Sequence, residues 1–198
     1  MTKIIGLTGG IGSGKSTIAT YFKEAGIPIY LADDAGREVM QDPSIIAAIV
    51  DVFGTSIIEN GVINRQKLAA IVFNESQQLQ KLNRIVHPAV KKHFDNWLLK
   101  QKHFPYVLYE AAILFESGKY KECDCVITVI ASLEARIARV VERDQTTREL
   151  VLQRINAQWA DDQRIPLSDF VIENDDLDLA KVQIAKILKI LEIKQKQS

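Results

Sequence analysis

Residues Gly9 to Thr17 read Gly-Gly-Ile-Gly-Ser-Gly-Lys-Ser-Thr and follow directly on the apolar run Ile4-Ile5-Gly6-Leu7. The spacing from Gly9 to Gly14-Lys15-Ser16 is that of a phosphate-binding loop set between a strand and a helix. Each element has its own physical task. The glycines open backbone angles closed to other residues, so main-chain N–H groups along Gly10, Ile11, Gly12, Ser13, Gly14, Lys15, Ser16 and Thr17 turn toward phosphate oxygens. Lys15 reaches the β- and γ-phosphates as a mobile point charge, and the Ser16 hydroxyl joins the shell of Mg²⁺. Thr17 opens a helix whose dipole favours anions at that end. A merely flexible glycine turn leaves the lysine, the hydroxyl and the flanking pattern without a reason. The loop therefore reads as a grip on a nucleoside triphosphate.

With 198 residues, 47% of them apolar and 25% charged, the chain holds enough apolar surface for one substantial core with room for small appended domains. Its formal net charge is zero, so no global field draws it to nucleic acid or to a membrane surface. An anionic ligand has to be held by local groups. No apolar run reaches the length of a membrane span, and Met1-Thr2-Lys3 leads into a core strand rather than a secretory signal. Cys123 and Cys125 are the only cysteines, with three histidines elsewhere. A structural zinc wants four ligands, so the pair reads as reduced thiols at the start of a strand, which suits the cytoplasm.

Strands are expected at residues 3–7, 28–32, 106–111, 124–130 and 169–172, short runs rich in Ile, Val, Leu or Tyr. Several are continuously apolar, as in a parallel sheet covered on both faces. A helix over 15–25, closed by Gly26, joins the first two into a βαβ unit. From Pro43 to about Gln101 no strand signal of that quality appears. Ser44 starts one helix, Asn64 caps another over 66–73, and Ser76 opens a third toward Val86. Pro88 suits a first helical position, which predicts a separate helix to about Leu99. A crossover between parallel strands needs only about a dozen residues, so this stretch reads as a substrate-holding lobe. Near the carboxyl end, Leu179, Val182, Ala185, Leu188 and Leu191 mark the packing face of an amphipathic helix.

Residues 134–165 carry six arginines and no lysine, balanced by six acids. Arg136, Arg139 and Arg143 fall along one helical face, and Thr146-Thr147-Arg148-Glu149 has the spacing that starts a second helix, carrying Arg154. The segment is either a salt-bridged solvated face or a phosphate-recognising helical hairpin. Guanidinium forks bind phosphate bidentately, which favours the hairpin.

A guanine-nucleotide switch is expected to carry Asn-Lys-x-Asp and D-x-x-G segments, and neither stands in a suitable place. The third strand ends in Tyr109-Glu110-Ala111-Ala112 rather than in the aspartate typical of motor ATPases. A small-molecule kinase needs an acceptor-orienting carboxylate and positive charge for the transition state. Asp33 and Asp34 follow the second strand at the edge where α/β proteins place ligands, although both also suit a helix cap. Another nucleoside or nucleotide kinase, or a binding switch without transfer, would share the same loop.

Further along the chain the motifs become specific. Leu7-Thr8-Gly9-Gly10-Ile11-Gly12-Ser13-Gly14-Lys15-Ser16-Thr17, Ala32-Asp33 with Arg37, Ile85-Val86-His87-Pro88 and Ile113-Leu114-Phe115-Glu116 occur in that order. Arg136, Arg139, Arg143-Asp144, Arg154, Gln158 and Asp169-Phe170-Val171-Ile172-Glu173-Asn174 follow. Together they resemble the dephospho-CoA kinase family over nearly the whole length. Leu31 replaces the first aspartate of the family's Asp-Ala-Asp, leaving Asp33 alone to inherit the catalytic carboxylate, and Ala112 replaces the proline before its Leu-Leu-Phe-Glu segment.

The resemblance implies an α/β P-loop NTPase fold, a five-stranded parallel sheet flanked by helices as in nucleoside monophosphate kinases, with a helical substrate lobe and a helical lid. It implies a nucleotide-binding core at 1–33, 104–133 and 166–198, an acceptor lobe at 34–103 and a lid at 134–165. The implied reaction moves the γ-phosphoryl group of ATP to the ribose 3′-hydroxyl of dephospho-CoA, with Mg²⁺ at Ser16. Asp33 is the implied base or orienting group; Lys15 and Arg143 neutralise charge, Arg139 assists from the lid, and His87 and Arg37 bind substrate. His87 equally suits a structural role at the Pro88 junction, and Glu110 and Glu116 suit polar strand-end positions as well as metal-bound water. The expected protein is a cytoplasmic monomer or small homo-oligomer with no nucleic-acid or membrane partner.

Overall fold

A strand that is apolar on both faces needs cover on both sides and a partner on each edge. The computed structural model, which describes residues 1–72 and 75–196, supplies both. In chain order the elements are β1 (Lys3–Thr8), α1 (Lys15–Glu24), β2 (Ile29–Leu31), α2 (Ala32–Val39), α3 (Pro43–Phe53), β3 (Ile58–Glu59), β4 (Val62–Ile63), α4 (Arg65–Val72) and α5 (Ser76–Leu99). They continue with β5 (Tyr106–Glu110), β6 (Cys125–Ile130), α6 (Leu133–Asp144), α7 (Arg148–Asn156), α8 (Asp161–Arg164), β7 (Phe170–Glu173) and α9 (Leu177–Lys196). The chain divides into two compact units, Met1–Leu31 with Gln101–Ser198, and Ala32–Lys100.

The first unit is an all-parallel five-stranded sheet in the order β2-β5-β1-β6-β7. β1 lies at its centre, with Leu7 opposite Glu110 on one side and Ile127 on the other. Ile5, Leu7, Leu108, Ile127 and Ile172 are fully buried with Ile18 and Phe22 of α1. α1 stops as its sequence requires: the Gly26 N–H donates to the Lys23 carbonyl and the Ile27 N–H to the Phe22 carbonyl, the paired bonds of a glycine-closed helix end. Cys125 opens β6 and both cysteines are free thiols. Burial pushes the Cys123 thiol up to about 12, so it is protonated at neutral pH.

The packing face of α9 differs from the expected one. Ala180, Ile184, Ile187 and Leu191 are buried, whereas Leu179 and Val182 are 63% and 52% exposed. The helix carries two interleaved apolar stripes, and the face that meets α1 and the sheet is rotated by one residue from the Leu179 stripe.

The second unit is mainly helical, but residues 58–63 form a β-hairpin that strand periodicity did not reveal. Two-residue strands are too short for a period; the signal was Asn60-Gly61, which adopts positive φ at both residues, the turn that closes such hairpins. The cap of α3 is Asp42, whose Oδ1 accepts from the Ser44 N–H with Pro43 at the first helical position, so the helix starts one residue before Ser44. Asn64 Oδ1 accepts from the N–H groups of Gln66 and Lys67, as its capping role requires. Phe73, the expected end of that helix, lies outside the described residues.

A further departure is α5, one helix of 24 residues that runs straight through Pro88 instead of two helices meeting there. Interior proline costs about 3 kcal/mol through the lost N–H and the ring clash. Packing on both sides outweighs it: Leu79, Leu82, Ile85 and Val86 cover the core of Ile49, Ile57, Leu68 and Val72, and beyond Pro88 the buried Phe94 stacks on Trp97.

Phe22 is wholly buried at the seam of α1 and the sheet. Phe22→Ala is expected to cost about 3–5 kcal/mol; a fall in the urea midpoint at unchanged slope measures it.

Candidate active site

The loop after β1 is shaped by hydrogen bonds on its outer side. Within it, the Ser13 N–H donates to the Gly10 carbonyl at 3.1 Å and the Ile18 N–H to the Gly14 carbonyl at 3.1 Å, which starts α1. No side chain caps α1 and no acid stands in its first turn, so the anion-binding end of the helix is open. Gly14 has φ 90°, and a Cβ there would fall 2.1 Å from Asn174 Nδ2. Only glycine fits. The Lys15 ammonium, with its side chain 12% exposed, lies 4.0 Å from the buried carboxylate of Glu110 at the end of β5.

Around this loop lies a layer of side chains from residues 136–174. Arg136, 7% exposed, donates from Nε to the Ile11 carbonyl at 3.0 Å and pairs through Nη1 with Asp161 at 3.4 Å. Arg139 donates from Nη2 to the Asn174 carbonyl at 2.6 Å and from Nη1 to the Gly12 carbonyl at 3.4 Å. Asn174 Nδ2 donates to the Ser13 carbonyl at 2.8 Å, and the Ile11 N–H donates to Gln158 Oε1 at 2.8 Å. The Ile11 side chain packs with Ile137, Val140 and Val151, the small core of the α6–α7 hairpin. Behind them Arg164 is fully buried and divided between Glu116 and Asp161, each at 3.2 Å. A Cβ on Gly10 would meet Arg136 Nη2 at 2.2 Å and Arg164 Nη1 at 3.1 Å, so glycine admits both guanidinium groups to the loop. Burial lowers the Arg136 pKa while Asp161 opposes the shift. Thr8 Oγ1, Ser13 Oγ and Arg164 Nε are buried with no partner among the described residues.

The three arginines expected on one face thus have different surroundings. Arg136 and Arg139 bond loop carbonyls. Arg143, further along α6, is 64% exposed and forks onto Asp144, which also accepts from Arg154 at 2.7 Å. The Arg143 hydrogen bond raises that guanidinium and lowers the Asp144 carboxyl, whose second partner is Arg154. Asn174, Gln158, Arg164 and Asp161 received no role from the sequence. Asn174 and Gln158 stand in the family's motif order, but their spacing from the loop carries no signal. Glu116, weighed for metal-bound water, accepts from Arg164 and from the Trp159 N–H.

In the second unit, Asp33 stands exposed in the first turn of α2, and its carboxylate has no protein partner among the described residues. Asp34 is paired with Arg37 at 2.9 Å, and the Arg37 carbonyl accepts from Arg65 at 3.4 Å. His87 lies on the surface of α5, and desolvation of its ring lowers its pKa. Among the described residues its side chain has no hydrogen-bond partner.

A sequence model of dephospho-CoA kinase matches residues 3–178. The chain belongs to the dephospho-CoA kinase family. Dephospho-CoA kinase from Fusobacterium nucleatum is 40% identical over 173 residues, covering 87% of this chain and 89% of that protein. The Mannheimia succiniciproducens dephospho-CoA kinase is 37% identical over 198 residues, covering 99% and 92%. Among solved structures, TT1252 from Thermus thermophilus superposes with a TM-score of 0.86 at 30% identity, covering 98% of this chain and 97% of that one. Dephospho-CoA kinase from Campylobacter jejuni (TM-score 0.70, 22% identity, all of both chains) and shikimate kinase from Acinetobacter baumannii (0.55, 15%, 98% and 95%) share the fold. The five-stranded parallel sheet with its flanking helices is the P-loop kinase fold expected of the family.

Removing Arg164 leaves Glu116 and Asp161 facing each other without their shared cation. Arg164→Ala is expected to destabilise by about 3–5 kcal/mol, whereas Arg143→Ala, at an exposed pair, stays within about 1 kcal/mol. Chemical denaturation of the two variants side by side measures the contrast.

Proposed function

We propose that this chain transfers the γ-phosphoryl group of ATP to the ribose 3′-hydroxyl of dephospho-CoA, giving CoA and ADP, the last step of coenzyme A biosynthesis. The observation that carries the reading is the family match over residues 3–178 of a chain whose phosphate loop is complete. Relatives at 37–40% identity over most of their length bear that same name, while the shikimate kinase likeness extends to fold alone.

In this reading residues 10–17 hold the triphosphate. Three features fit an anion there: the uncapped start of α1, the unpartnered hydroxyls of Thr8 and Ser13, and Lys15 next to the loop. Lys15 follows the transferring group, leaving Glu110 to keep the lysine side chain oriented. Ser16, exposed in the first turn, supplies a hard oxygen for Mg²⁺, and no cluster of three His, Cys, Asp or Glu among the described residues competes for the ion. When bound, Mg²⁺ neutralises charge on the phosphate oxygens.

Asp33, with no protein partner among the described residues, orients the 3′-hydroxyl and takes its proton as the oxygen–phosphorus bond forms; the β–γ bridging oxygen leaves with ADP. In a loose transition state the proton leaves late, so positioning matters more than basicity. Residues 34–103 form the acceptor lobe, with Arg37 and His87 toward the substrate. Residues 134–165 form the lid: its base is tied to the loop through Ile11, Arg136 and Gln158, so closure falls to the outer end with Arg143 and Arg154, while Arg139 supports the loop from outside through the Gly12 carbonyl. Closure excludes water as a competing acceptor. We assign the enzyme to the cytoplasm on its two free thiols, acting as a monomer or small homo-oligomer.

With ATP, Mg²⁺ and a panel of acceptors, CoA formation from dephospho-CoA should dominate; a preference for a nucleoside monophosphate would overturn the assignment. Asp33→Asn should lower kcat by about a hundredfold or more while ATP affinity holds. An undiminished rate removes Asp33 from the chemistry.

A further inference from the structure

A trans peptide points its C=O and its following N–H in opposite directions, so a carbonyl held on one side aims the next N–H to the other. Three consecutive loop carbonyls are held from outside the loop: Ile11 by Arg136, Gly12 by Arg139 and Ser13 by Asn174. The N–H groups of Gly12, Ser13 and Gly14 are thereby aimed away from that layer. Ser13 spends its N–H on the Gly10 carbonyl; those of Gly12 and Gly14 have no protein acceptor among the described residues. We infer that Asn174 is a positioning residue for the nucleotide, holding the loop carbonyls outward so that the N–H groups of Gly12 and Gly14 face the phosphates. The inference rests on ATP being the donor.

Of the three donors, Asn174 also places a second one, Arg139. The Arg139 contact with Gly12 is long at 3.4 Å, and its short bond, 2.6 Å, goes to the main-chain carbonyl of Asn174 itself. Arg139 is aimed by position 174. Asn174 is 4% exposed, and its own N–H donates to the Ile130 carbonyl at 2.9 Å, which anchors it at the end of β6. It therefore joins a sheet strand, α6 and the loop at one residue. The amide packs directly on the loop: a Cβ on Gly14 would sit 2.1 Å from Nδ2, so only glycine lets the two approach. The chemistry required is a neutral donor. An aspartate of the same shape would set an oxygen against the Ser13 carbonyl, acceptor to acceptor, and add negative charge beside a triphosphate site.

The test compares wild type, Asn174→Asp, Asn174→Ala and Gln183→Ala. Gln183 bonds both main-chain groups of Glu173, the neighbour of Asn174, and touches no loop carbonyl, so its loss loosens the same corner without releasing the loop. ADP with Mg²⁺ is titrated calorimetrically into each protein, and kcat and KM are measured for ATP and dephospho-CoA. Both Asn174 variants should raise the ADP Kd and the ATP KM by about tenfold or more, the scale of one buried hydrogen bond lost. The dephospho-CoA KM should hold, kcat should fall less than the ATP KM rises, and Gln183→Ala should bind ADP as wild type does. The shape-preserving Asn174→Asp keeps the test decisive if Asn174→Ala fails to fold. ADP binding by Asn174→Asp equal to wild type, or an equal loss in Gln183→Ala, overturns the inference. Wild-type protein that binds no ADP overturns the donor reading beneath it.

Discussion

Two guanidinium groups taken out of water against a single glycine hold this molecule's functional end together. Arg136 and Arg164 both approach Gly10, and neither position is tenable without the carboxylates of Asp161 and Glu116. Desolvating a cation costs several kcal/mol, and the paired acids offset that cost only in good geometry. Asp161 serves both arginines, so α8 has one place to be. Glu116 also accepts the Trp159 N–H, and Trp159 stacks on Phe115 with ring planes 3° apart. The segment following β5 is thus fixed to the segment preceding β7 through charge first and ring packing second.

The same arrangement explains how a chain of zero net charge holds a polyanion. Arg136, Arg139, Arg164 and Lys15 gather around one turn of backbone, and their field acts across a partly dehydrated interior where screening is weak. The compensating acids are Asp161 for Arg136, Asp161 and Glu116 for Arg164, and Glu110 for Lys15. Charge is separated locally while the total cancels.

What the sequence disclosed was local, and what it withheld was long-range. Short runs rich in Ile, Val, Leu or Tyr named all five sheet strands, and the central ones read most plainly because burial on both faces needs no knowledge of neighbours. The loop was legible because glycine, lysine and hydroxyl stand within nine residues. Pro88 misled because backbone preference predicts a break, and the packing of Ile85, Val86 and Phe94 that overrides it is tertiary. The α9 stripe misled because two apolar faces share one helix and only the sheet selects between them. In the site, helical spacing correctly grouped Arg136, Arg139 and Arg143, yet the loop meets only the first turns of α6, so Arg143 pairs with Asp144 at its far end. Gln158 and Asn174 lie 147 and 161 residues from the loop atoms they bond, beyond the reach of any spacing argument.

The strand order carries a consequence for how the chain assembles as it is made. β1 and β2 are synthesised first, but they are not neighbours, because β5 lies between them. Both wait for residues 106–110, and the other edge of β1 waits for 125–130. The helices of Ala32–Lys100, by contrast, have a core made wholly within that span. The central strand of the sheet, the most apolar piece at the amino end, therefore spends this interval on the growing chain without a partner, and closure of the sheet is a late, non-local event of the kind that slows folding.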